Sequence, residues 1–179
     1  MKNLKERKNE LLREYKKKEC RLLEVFEDEE KREQCIKNLA EALKIILEEY
    51  SQVKKSGITL EKIPLLYGLL SMALEGSVKI YFLSKQFEDL LDIEPSRRTL
   101  GNLKGKINKD ILNEIGEKLD YLIFMRNHFV HFPPYYTLSL DDEEIFFDVI
   151  RFLAEKGEFY KLIPPELLEV KRSDTYEQK

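Results

Sequence analysis

Apolar residues recur along most of this chain at steps of three, four and seven, the spacing of helices that turn one face to a core. Over residues 3–26, Leu4, Leu11, Tyr15, Leu22 and Phe26 follow that rhythm. Residues 27–34, EDEEKREQ, contain nothing apolar. There the pattern leaves open whether the helix turns or runs on as a solvated segment. Periodicity resumes with Ile36, Leu39, Ala40, Leu43, Ile46, Leu47 and Tyr50, and predicts a helix to about residue 54. SGIT then reads as a turn, with Thr59 as an N-cap for the next helix.

Residues 60–92 are the most apolar segment. Pro64 falls in its first turn, where proline is tolerated. Between Leu65 and Leu83 the only charges are Glu75 and Lys79, one turn apart in the favourable order. Such a helix must be buried on most sides. Residues 94–109 form a connection, with a helical turn expected after Thr99. Its cations Arg97, Arg98, Lys104, Lys106 and Lys109 meet no acid between Glu94 and Asp110. A helix over 110–132 is stopped by Pro133 and Pro134. Ser139 caps a final helix with acids in its first turn, and Gly157 marks its end. IPPELLE predicts a further turn, and YYTLSL a brief extended stretch. The expected fold is all-α, an up-and-down bundle of five or six helices over residues 35–170. Residues 1–34 are a helical extension and 171–179 a polar tail.

Composition narrows the class. The chain has 179 residues, 42% apolar and 36% charged, with a formal net charge of −3. That balance argues against a protein that coats nucleic acid in bulk, but leaves room for a local basic patch. The longest uncharged run, residues 63–74, is 12 residues long and contains a proline, so no membrane span is expected. The first residues lack the apolar core of a signal peptide. Cys20 and Cys35 fit no metal or redox spacing and read as reduced thiols in a cytoplasm.

The stretch RNHFVHFPP, residues 126–134, holds both histidines. At about 100° per residue, Ile111, Ile115, Leu119, Leu122, Ile123, Phe129 and Val130 share an arc about 120° wide, with Arg126 at its middle. A guanidinium there needs a carboxylate or a bound anion. Asn127 and His131, one turn apart, share the neighbouring face, and His128 lies three residues before His131. Tyr121 and Phe124 leave the helix apolar on most sides, which suits a second subunit. The plain structural reading pairs Arg126 with a buried acid such as Glu75 and leaves the histidines as helix-end residues. The two histidines alone do not make a metal site, and no cofactor is implied.

MRNHFVHF resembles the signature of the HEPN superfamily: Arg, a polar residue, three more residues, then His on an apolar helix. Arg126, Asn127 and His131 match it residue by residue. LYGLLSMALEGSVKIYFLSKQF is similar to the HEPN helix that carries a Glu facing the motif, with Glu75 in that place. The resemblance spans roughly residues 36–157. It implies an all-helical homodimer that cuts RNA without a metal, as toxins and defence effectors do, with an antitoxin or nucleotidyltransferase as a partner. One position departs: where HEPN toxins carry a tyrosine that accepts a nucleotide, this chain has Pro133, and the nearest tyrosines are Tyr135 and Tyr136.

The side chains suit that chemistry. Attack by a ribose 2′-OH needs a base, an acid for the leaving 5′-oxygen and a cation for the phosphorane. His131 is the expected base and Arg126 the phosphate clamp, with Asn127 orienting either. The acid is His131 of a second copy or else His128. Arg97, Arg98, Lys104, Lys106 and Lys109 are the candidate RNA track. The rival reading is a non-catalytic HEPN-like dimer that binds a nucleotide or a partner protein.

Overall fold

In the computed structural model, the structure describes residues 28–59, 61–93, 97–131 and 138–170, together with residues 6, 9 and 13; for 129–131 it describes the backbone alone. Six α-helices lie among the described residues: α1 (Glu29–Lys55), α2 (Ile63–Lys85), α3 (Phe87–Leu91), α4 (Leu100–Lys104), α5 (Lys109–His131) and α6 (Leu140–Lys156). Two 3₁₀ turns follow, Phe159–Leu162 and Pro165–Leu167. The all-α expectation holds, and the described residues contain no strand. Most of the stretch YYTLSL lies outside them.

Asp28 starts α1, its carboxylate accepting from the amides of Glu30 and Lys31 at 3.1 and 3.3 Å. The acidic stretch that follows therefore opens the same helix that later buries Ala40, Leu43, Leu47 and Tyr50. Glutamates in the first turn and lysines in the last complement the helix dipole. Residues 29–34 are solvated helix, continuous with the core-facing part, and the backbone is extended at Asp28, where this helix begins; the residues just before it lie outside those described.

Thr59 does not cap α2. The helix begins at Ile63 with Pro64 in its first turn, and Thr59 instead closes a turn through its carbonyl, which accepts from the Lys62 amide at 2.9 Å. Lys62 folds its ammonium back onto the carbonyls of Ser56 and Gly57. Gly57 sits at φ +87°, where a side chain would be strained.

The central helix is α2, buried along most of its length from Leu66 to Leu83. It is the one described helix long and apolar enough to cross a membrane by length and composition, yet half of its apolar window is buried inside the bundle. Cross-links give the directions. Tyr67 meets Phe146 and Lys85 pairs with Glu158, so α2 and α6 run parallel. Tyr50 and Lys54, late in α1, reach Glu143, early in α6, so those two run antiparallel. Tyr121 meets Asp142 and Lys118 meets Asp148, which sets α5 against α6 as well. Ser139 caps α6 in a full capping box with Asp142, and Gly157 ends it. At Gly157 an added Cβ would lie 2.8 Å from the Phe159 ring.

Candidate functional site

Arg126 projects from α5 toward α2, where Glu75 waits. Its Nη2 lies 3.3 Å from Glu75 Oε2, while Lys79 Nζ reaches Glu75 Oε1 at 2.7 Å. One carboxylate thus holds two cations, one on each oxygen. Burial decides what this cluster can do. The side chains of Arg126, Glu75 and Lys79 are 34%, 24% and 38% exposed. Arg126 was expected in the middle of an apolar arc, and it does sit beside the buried Leu119, Leu122 and Met125. Even so, about a third of its side-chain surface stays exposed. Asn127, next to it, is exposed.

His128 sits elsewhere. Two positions after Arg126, it is about 200° round the helix. Its ring lies over that of Phe124, 3.9 Å between centroids, and Nδ1 is 3.2 Å from the Phe124 carbonyl oxygen. The helix therefore separates His128 from Arg126 of its own chain. His131 is the last residue of α5; its side chain lies outside the described residues, as do Pro133, Tyr135 and Tyr136.

The basic connection divides into working parts. Arg98 directs Nε at the carbonyls of Leu90 and Ile93, at 3.1 and 3.0 Å, closing the end of α3. Lys104 pairs with Asp120 on α5. Arg97, Lys106 and Lys109 are exposed. Lys109 opens α5, 17 residues before Arg126, a separation of about 25 Å along the axis. Lys104, through Asp120, comes much nearer.

Two further clusters escaped the sequence reading. Asp142 binds the hydroxyls of Ser139 and Tyr121, at 2.7 and 2.5 Å, and tethers α5 to the start of α6. The hydrogen bond to Asp142, then burial, pushes the Tyr121 hydroxyl up to about 12. Burial, then the charge of Asp142, raises that of Tyr67 as well. Deeper in the bundle, Glu143 binds Lys54 at 2.5 Å and Tyr50 through its other oxygen. Lys79 also went unassigned, although its spacing after Glu75 on an otherwise uncharged helix face was a usable signal. No protein-family model, curated protein sequence or solved structure matches this chain.

Proposed function

We propose that the chain is an endoribonuclease of the HEPN kind, cutting RNA without a metal. The observation that carries this reading is the half-open state of Arg126. One amino group is held by Glu75, about a third of the side chain stays exposed, and a planar fork of this kind suits phosphate, with the exposed Asn127 next in the chain. Lys79, on the other oxygen of Glu75, adds a second cation within reach of the same anion. In the reaction, the ribose 2′-oxygen bonds to phosphorus and gives its proton to His131, while the bond from phosphorus to the 5′-oxygen breaks. A second proton goes to that oxygen from His131 of a second copy. The products are a 2′,3′-cyclic phosphate and a 5′-hydroxyl.

The second copy belongs to the reading. On α2, Leu65 and Met72 are exposed, and Gly68 between them has open space where a side chain would stand. This stripe lies on the helix that carries Glu75, so a two-fold contact along it brings two Arg126 clusters to one seam. On α5, Tyr121 and Phe124, the residues that the sequence places on its outer side, are exposed.

One observation favours the non-catalytic alternative. Both oxygens of Glu75 already have cationic partners, as a purely structural ion pair would. Incubation with single-stranded RNA in EDTA separates the two. Wild type should leave cyclic-phosphate ends, and Arg126→Ala and His131→Ala should cut at least about 100-fold more slowly. Wild-type protein that cuts nothing would leave the binding module as the better reading.

A further inference from the structure

The two cations on Glu75 are held unequally. Lys79 Nζ lies 2.7 Å from Glu75 Oε1, a firm charge-assisted hydrogen bond, and the two residues stand one turn apart on α2. Arg126 comes from another helix and gives Glu75 a single nitrogen at 3.3 Å. A guanidinium that meets a carboxylate edge to edge makes two parallel bonds of about 2.7–2.9 Å. Lys79 is therefore the fixed partner of Glu75, and Arg126 is the one that can leave. Its departure strands no charge. The carboxylate stays neutralised by Lys79, and the guanidinium, partly exposed already, is hydrated until another anion arrives.

We propose that Glu75 is a positioning residue that competes with the phosphate for Arg126, and that Lys79 keeps the vacated carboxylate paired when Arg126 turns to the phosphate. This rests on the reading of Arg126 as a phosphate clamp. While Arg126 is on Glu75 it cannot grip an anion fully, so apparent affinity is reduced by the fraction held. In return, the contact keeps a long, rotamer-rich side chain at the seam between α2 and α5, where a free one would wander. Two cations on one carboxylate are more than a structural ion pair needs. They are what an exchange needs, because one remains while the other changes partner.

The probe is inorganic phosphate, titrated into the full chain and followed by the Asn127 amide signal in NMR spectra. Glu75→Gln, which keeps the shape of the side chain, should bind phosphate about 5-fold more tightly than wild type, the worth of a partly exposed ion pair. That gain should vanish in the Arg126→Ala background, where no guanidinium is left to release. Lys79→Met should weaken binding in the wild-type background and do so less in the Glu75→Gln background. A Glu75→Gln protein that binds no better than wild type overturns the proposal. So does a gain that survives in the Arg126→Ala background, since Glu75 would then act only as a nearby negative charge. An equal loss from Lys79→Met in both backgrounds overturns the role given to Lys79. Cleavage of RNA in EDTA tests the underlying reading separately. Tighter binding by Glu75→Gln without any cutting by wild type sinks the nuclease and leaves the exchange, whereas phosphate binding that ignores Arg126→Ala sinks the clamp and the exchange together.

Discussion

Two charge clusters in this bundle are built from the same kinds of side chain and live in different solvents. Glu143 and Lys54 are 0% and 8% exposed, and Tyr50 completes their set inside the core. Glu75, Lys79 and Arg126 also place one carboxylate between two donors, but at the edge of the bundle. In the sealed cluster each desolvated charge depends on its partner, because nothing else can solvate it. In the open one, water serves that role, and the same water is what a phosphate would displace. Burial, more than residue type, separates a structural lock from a cluster still open to solvent.

Removing the carboxylate of the sealed cluster should have the largest effect. Glu143→Ala strands the Lys54 ammonium in the core and should cost about 3–5 kcal/mol of unfolding free energy, read by urea denaturation. A loss under about 1 kcal/mol would show that water reaches the site and would erase the contrast.

Arg126→Ala sharpens the other side. A partly exposed pair contributes little, so stability should change by about 1 kcal/mol or less while RNA cleavage is lost. If this variant unfolds as readily as Glu143→Ala, then Arg126 is a lock too. The functional reading would lose its main support.

The smallest effect concerns the Tyr121 tether. Its folded value of about 12 lies above the ordinary 10. The fold thus favours the protonated phenol, and that contribution is complete below pH 10 and lost as pH rises toward 12. The difference in melting temperature between wild type and Tyr121→Phe should shrink across that interval. A constant difference would mean that Asp142 does not hold the hydroxyl.

Much of the fold was legible because helices are local. The recurrence from Ile36 to Tyr50 marks α1, Ser139 with its following acids marks the start of α6, and Pro64 and Gly157 punctuate the ends. Each signal acts within a turn or two, where hydrogen bonds and side-chain spacing are set by neighbours in the chain. Thr59 was misread for the same reason. A good cap residue competes with Pro64, five positions on, which takes the first turn of the helix instead.

The sequence by itself determined that this chain is helical, that α2 is its most apolar element, and that Arg126 on an apolar face needs an anion. Only the tertiary structure decided which anion, and how much solvent stays beside it. Glu75 lies 51 positions from Arg126, and Glu143 lies 89 from Lys54; no periodicity along one helix encodes such a distance. It likewise committed Arg98 to the end of α3 and drew Lys104 to Asp120. Pairing between helices depends on how their faces meet, which is a property of the packed bundle and not of any one stretch.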